Sequence, residues 1–367
     1  MADNKIRLLV LFGGVSGEHE VSLISAGNVI SAVNKDRYDV IPVFISKQGE
    51  WFTAADPKLL LSGNASSAYT VCLPADPTKK HLHSLDGRTL PQELSKNIDC
   101  AFPVLHGPNG EDGTIQGLLT LANIPFVGAG VLSSALIMDK GYTKLVFQHN
   151  DLPTLPYLVY NYHDWLKDQP SIISQIEQEL HYPVFTKPCN LGSSVGISKI
   201  KSRKELDLGL TEAFRYDNRV IVEQGISARE LECAVLGNLE PKCSILGEIV
   251  PANEFYDYNA KYIDDNSELL VPAPVDDELT RLAQGIAIRA FLATNCRGMV
   301  RADFLLDKET GKLYLSEINT IPGFTAISMY PKLWQASGLS YPQLIDELVR
   351  LALEEQGARD RLKKSYR

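Results

Sequence analysis

The chain opens on an unbroken apolar run, IRLLVLF, which closes at Phe12 and stops at Gly13 and Gly14. A run without polar alternation reads as a parallel strand buried on both faces. Val21, Ile24, Val29, Ile30 and Val33 then recur at roughly helical spacing, and YDVIPVFI at 38–45 is a second strand. The chain therefore begins strand, helix, strand. Residues 54–96 are polar and rich in Pro, Ser, Asp and His, and are expected to be an insertion with little structure of its own. IDCAFPVL (98–105) and IPFVG (124–128) resume the sheet around the loop HGPNGEDG and the helix TIQGLLTLA. These elements predict an open doubly wound α/β domain over residues 1–128.

From Ser133 the pattern predicts one helix (ALIMDKGYTKLVFQHN), a strand at 156–160, a helix at 171–180 and the strand YPVFTK. The stretch KPCNLGSSVGISK comes next, at residues 187–199. It has the glycines and hydroxyls of a phosphate cradle, yet no Lys-Ser or Lys-Thr succeeds its second glycine. The chain then enters a strand, VGISKI, where a P-loop has a helix. Strand, loop and strand make a hairpin whose tip can cover a ligand. The chain is read as a second domain over 129–219 and a third over 220–367. The third starts at RVIVEQ and continues through a long acidic and aromatic loop, an amphipathic helix, a hairpin and closing helices.

Composition narrows the class. A chain of 367 residues exceeds one ordinary core, and 44% hydrophobic with 22% charged residues is the balance of a globular enzyme. A net charge of -9 argues against a nucleic-acid surface but leaves room for phosphate held by a few placed lysines. The six cysteines show no metal or redox spacing and read as reduced thiols. The N-terminus reads as neither signal peptide nor membrane span, so a cytoplasmic location is expected.

The strongest constellation lies in residues 299–323, MVRADFLLD, KETGK, LYLSEINTIPG. With the hairpin turn centred on Thr310, Asp303 faces Glu317. Arg301 and Asn319, two residues away along each strand, share that face. Two carboxylates and an amide oxygen are hard ligands of the kind magnesium takes together with phosphates. Any one of these residues alone would pass for a solvated hairpin face; the paired spacing is what carries the reading. Lys187 ends a buried strand beside the glycine loop, where an ammonium needs an anion. Lys140 on its helix is a weaker candidate. RVIVEQ offers a strand edge to an adenine, with Glu230 downstream for ribose hydroxyls. In GGVSGEHEVS the dinucleotide spacing fails, but Glu18 and His19 sit where a strand meets a helix, and His106 has a similar address. For a lone histidine, the default remains a structural role.

Taken in order, GGVSGEHEVS, LHGPNGEDGTIQG, MDK, KPCNLGSSVGISK, FYDYNAKY, RADF and EINTIPGFT closely resemble the D-alanine:D-alanine ligases of the ATP-grasp superfamily. The resemblance covers nearly the whole chain. It implies an ATP-grasp fold of three domains and an ATP-dependent ligation through a D-alanyl phosphate, for peptidoglycan precursors. By resemblance, Glu18 and His106 hold the first D-alanine and Arg301 stabilises charge at the reacting carbonyl. Lys140, Lys187 and Lys261 contact phosphates, and Glu223, Gln224, Ile226 and Glu230 hold the nucleoside. Asp303, Glu317 and Asn319 bind two Mg2+ or Mn2+ ions, with activation by a monovalent cation left open. Gly323, Ser328 and Met329 receive the second substrate, Met329 through its amide. Ser193 and Tyr262 join Glu18 in tying the glycine loop to the first domain. A homodimer is also implied. Asn190-Leu191 and Asn259 depart from residues frequent in relatives.

Rival readings are another ATP-grasp ligase, which would not need Glu18, His106 or Tyr262 in these contexts, and a nucleotide-binding regulatory module without turnover. A serine hydrolase is weaker still, because the G-x-S-x-G elbow is absent.

Overall fold

In the computed structural model, residues 5–193, 195–250, 268–363 and 365 are described. The first unit runs β1 (Ile6–Gly13), α1 (His19–Ala32), β2 (Tyr38–Ile45), β3 (Trp51–Thr53), α2 (Pro57–Leu61), β4 (Tyr69–Cys72), β5 (His83–Ser84), β6 (Cys100–Val104) and α3 (Thr114–Leu121). Its sheet has the order β5-β4-β3-β2-β1-β6. β1 is parallel to β2 and β6, as its apolar run requires: Leu8 to Phe12 are fully buried. IPFVG contributes only a bridge from Phe126 to Ala101.

The expectation of a structureless insertion over 54–96 is wrong. The segment supplies α2, β4 and β5, and beyond β2 the sheet continues through β3, β4 and β5, each strand antiparallel to the one before it. Leu60, Val71, Leu73, Leu82 and Leu94 are buried, so sparse apolar residues among polar ones suffice to anchor the segment to the core.

The second unit contains α4 (Val131–Met138), α5 (Lys140–His149), β7 (Tyr157–Asn161), α6 (Tyr162–Lys167), α7 (Gln169–Glu179), β8 (Val184–Pro188), β9 (Ser198–Ile200), α8 (Arg203–Phe214) and β10 (Arg219–Gln224). The single helix expected from Ser133 is two, because Asp139 leaves the helical region and caps α5, accepting from the Tyr142 amide at 2.9 Å. The hairpin around the glycine loop is present, with β8 and β9 antiparallel. RVIVEQ, assigned from sequence to the third region, lies instead between β7 and β8 in this sheet, of order β7-β10-β8-β9.

The third unit is built from β11 (Ala228–Gly237), β12 (Lys242–Val250), β13 (Glu268–Leu270), α9 (Asp277–Ala293), β14 (Gly298–Asp307), β15 (Leu313–Asn319), α10 (Met329–Ala336) and α11 (Tyr341–Asp360). Its antiparallel sheet has the order β13-β12-β11-β14-β15. α9 packs Ala283, Ile286, Ala287, Ala290 and Phe291 under it. On the opposite side the core is shared between units. Leu8, Val10, Phe12 and Phe102 of the first sheet join Phe324, Tyr330, Leu344 and Leu348 in one buried cluster.

Candidate active site

A cleft of about 1140 Å³ opens between the three sheets among the described residues. Every candidate residue from the sequence lines it except His19, which is buried with its ring on the Gly14 carbonyl at 2.8 Å, and Lys261 and Tyr262, which lie outside the described residues, as does Asn259. Lys144, Glu111 and Glu232 line it too, and sequence reasoning had missed all three.

The β14–β15 register places Asp303 opposite Glu317 and Arg301 opposite Asn319. The turn is not centred on Thr310, however. Leu305 pairs with Tyr314 and Phe304 with Leu315, so the centre falls between Glu309 and Thr310, and a bulge at Ser316 restores the expected facing at the site. Ala302, Phe304 and Ile318 turn to the core, which leaves the acidic positions on the cleft face. Arg301 forks onto Asp303 with two hydrogen bonds of 2.7 Å, and its Nε lies 3.1 Å from Glu232 Oε2. The Asn319 amide donates to Asp303 at 2.9 Å. No group of three or more His, Cys, Asp or Glu forms a metal cage among the described residues. Two facing carboxylates beside one amide nevertheless fit a divalent ion whose remaining ligands are phosphate oxygens and water.

Deeper in the cleft, Glu223 near the end of β10 receives two lysines. Lys144 from α5 pairs with one carboxylate oxygen and Lys187 from β8 with the other, at 2.7 Å. Although burial pushes the Glu223 carboxyl up, the two ammoniums bring it down to about 2. Burial also works against the Lys187 charge, but Glu223, with Glu317 and Glu230 beyond it, holds that ammonium above its ordinary value. Lys140 donates instead to the Leu191 carbonyl of the glycine loop, at 2.6 Å. β10 is not the free edge expected for an adenine. The Gln224 amide already bonds Pro156 O and the Gly225 amide Pro183 O, both at 2.9 Å. The Gln224 side chain is likewise engaged, to His181, Pro183 and Gly225. It is the chain running on through Ile226 to Glu230 that faces the cleft.

At the other end, Glu18 precedes α1 and accepts from the Ser193 hydroxyl of the glycine loop. Ser193 adopts a left-handed φ of 51°, the backbone state that a bulky residue would resist. Gly107 holds a φ of 74°, and a Cβ there would stand 2.9 Å from Glu18 Oε2. The close approach of the two loops therefore requires glycine. His106 bonds Ile321 O at 3.0 Å and Ser25 Oγ at 3.3 Å; burial lowers its basicity, against the charge of Glu18. Ser328 stands just before α10 without capping it; its hydroxyl turns back to accept from the Thr325 amide at 3.0 Å and to bond the Thr325 hydroxyl at 2.8 Å. A Cβ at Gly323 would lie 2.7 Å from Ser328 Oγ. The Met329 amide thus begins a helix, where an anion is favoured.

Glu111 accepts from the Gly107 amide at 2.8 Å and from the Ile321 amide at 2.9 Å, joining the first and third units. Burial, then the charge of Glu18, push its carboxyl up to about 7 despite these bonds. A carboxyl raised in the folded state contributes stability below its unfolded value near 4.5, and that contribution is lost as pH climbs through 7. The loss is at most about 3 kcal/mol. Thermal midpoints across pH 5 to 8 are expected to fall less for Glu111→Gln than for the wild type; parallel curves would rule out this titration.

Two family models match the chain: D-ala D-ala ligase N-terminus over residues 7–129, and D-ala D-ala ligase C-terminus over residues 146–350. A D-alanine–D-alanine ligase of Thermoanaerobacter sp. is 50% identical, over 97% of this chain and 99% of its own. One from Natranaerobius thermophilus is 47% identical, over 97% of each. Among solved structures, the D-alanine-D-alanine ligase of Coxiella burnetii superposes with a TM-score of 0.85 at 36% identity, covering 97% of this chain and 96% of that one. The VanG D-Ala:D-Ser ligase of Enterococcus faecalis also reaches 0.85, at 35% identity over 95% of this chain and 100% of its own. Matched in both halves and over almost its entire length, the chain belongs to the D-alanine–D-alanine ligase family and has its ATP-grasp fold.

Proposed function

We propose that this chain joins two D-alanines into D-alanyl-D-alanine, using ATP and a divalent metal, as a step toward bacterial cell-wall peptidoglycan. The observation that carries this reading is one cleft with an acidic hairpin face, a double-lysine cradle and the Glu18–Ser193 contact around it. A carboxylate acylates poorly until one oxygen becomes a good leaving group. Its oxygen attacks the γ-phosphorus of ATP and ADP leaves; the amine of the second D-alanine then attacks the carbonyl carbon of the acyl phosphate, and phosphate leaves.

Glu18 holds the first substrate's ammonium, with His106 beside it. Lys140 and Lys187, and Lys261 by resemblance, neutralise phosphate charge, while Ile226 and Glu230 border the nucleoside. Asp303, Glu317 and Asn319 would hold magnesium or manganese, two ions in this reading, which supply charge neutralisation on the phosphates. A monovalent activator stays open. Arg301 faces the developing carbonyl charge. The Met329 amide, with Gly323 and Ser328, receives the second substrate's carboxylate; by resemblance, Tyr262 is assigned with Ser193 and Glu18 to closing the site. The chain is proposed to work as a cytoplasmic homodimer; no described helix is long and apolar enough to cross a membrane.

The test is to supply ATP, magnesium and a panel of D-alanine, D-serine and D-lactate, then to identify products by mass and phosphate release. D-alanyl-D-alanine is expected as the main product. D-serine belongs in the panel because a D-Ala:D-Ser ligase shares the fold. A dominant D-alanyl-D-serine product would overturn the second-substrate assignment, and no phosphate release with any pair would overturn ligation.

A further inference from the structure

Glu232 stands where a carboxylate is costly. On β11 its neighbours Leu231, Cys233 and Ala234 are fully buried, and Glu232 itself is 5% exposed. A charge so placed persists only if it is paired. Register explains the pairing: Glu232 lies opposite Asp303, and Ala234 opposite Arg301, so Glu232 and Arg301 are diagonal neighbours on the cleft face of adjacent strands. The Arg301 guanidinium therefore sits between two acids, with both outward bonds on Asp303 and its Nε 3.1 Å from Glu232. Its charge also reaches His106 and Glu111 in the first unit.

This arrangement poses a conflict for Asp303. Both its oxygens accept from Arg301, and one also accepts from Asn319, yet the proposed function gives the same carboxylate to a divalent ion. Once the ion takes those oxygens, the arginine needs another anchor or it swings out of line. We propose that Glu232 is the positioning residue for Arg301, retaining the guanidinium over the reacting carbonyl while Asp303 turns to the divalent cation. The inference rests on the proposed roles of Arg301 and Asp303. Without Glu232, Arg301 is drawn onto Asp303 and competes with the ion for it.

The test is a double-mutant cycle of Glu232→Gln and Arg301→Met in the full chain, read as kcat and KM, with Mn2+ binding in the presence of ADP followed by the spin resonance of free Mn2+. Glu232→Gln is expected to lower kcat about tenfold or more while KM for ATP and D-alanine stays within about twofold. In the Arg301→Met background the same change should cost less than about twofold, since the two residues act as one unit. Mn2+ binding should weaken several-fold in Glu232→Gln, and that effect should vanish once Arg301 is gone. Additive losses in kcat, or a weakening of Mn2+ that persists in full without Arg301, would show Glu232 acting by its charge alone and would overturn the inference. Unchanged kcat in Glu232→Gln would do the same. Wild-type turnover in Arg301→Met is a different failure, because it removes the role assigned to the arginine itself. Should Glu232→Gln not fold, Glu232→Asp, which withdraws the carboxylate by one methylene, is put through the same cycle and judged by the same outcomes.

Discussion

Asp303→Asn is expected to reduce turnover at least about a hundredfold at ordinary magnesium, with the fold intact. Glu317→Gln should do the same. The two carboxylates face each other across a hairpin whose opposite face is core, so neutralising either one changes the cleft and not the packing. Circular dichroism and thermal midpoints should therefore stay near wild type while kcat falls, and raised magnesium or manganese should recover part of the loss. The two variants are not equivalent in their neighbours. Asp303→Asn also frees Arg301 from its forked partner, whereas Glu317→Gln leaves that fork in place. Metal rescue should accordingly be fuller for Glu317→Gln. Ordinary turnover in either variant would withdraw the assignment of a divalent ion to this face.

Glu223→Gln carries the largest expected effect on stability. The carboxylate lies between Lys144 and Lys187 and is 3% exposed, so its loss leaves two ammoniums close together with little water. Breaking a buried pair in this way costs about 3 to 5 kcal/mol. Because the folded-state carboxyl sits at about 2 against an ordinary 4.5, its contribution is fully present above 4.5 and is lost as pH falls toward 2. Wild-type unfolding monitored from pH 6 downward should show that loss, and the glutamine variant should show less of it. The variant should also have a higher KM for ATP, since Lys187 loses the partner that aims it. An unchanged thermal midpoint would mean that the lysines are not held by Glu223.

Where pattern and spacing carried the argument, the sequence was legible: the buried parallel strand at Ile6–Gly13, the hairpin around the glycine loop and the facing of Asp303 and Glu317. Even there the facing depends on the bulge at Ser316, which no periodicity announces. Lys144 escaped notice because a lysine on an amphipathic helix normally faces water. Its offset of four residues from Lys140, which sets both on one face of α5, was the available signal. Glu232 had a comparable one, two residues beyond Glu230 on the same strand face. Glu111 had none, since its raised carboxyl comes from loops that meet only in the folded chain. RVIVEQ was placed in the wrong sheet because a strand's own residues do not say which neighbours it will have.

The cluster shared by β1, β6, α10 and α11 bears on how such an enzyme can be recombined. The chain divides by sequence into an N-terminal and a C-terminal half, yet the floor of the cleft belongs to neither. Asn28 bonds the Phe324 carbonyl, Ser25 takes the Phe324 amide, and His106 and Glu111 grip Ile321. A chimera that exchanges residues 1–129 alone between relatives would break this seam, leaving mismatched apolar surfaces on both parents. The segment from Ile321 through α11 is held from both sides: the same cluster takes in Ala234, Leu236, Ile249 and Met299 of the third sheet, Tyr330 donates to the Val235 carbonyl at 3.0 Å and Asn238 donates to the Leu351 carbonyl at 3.1 Å, so a cut on either side of it opens a seam.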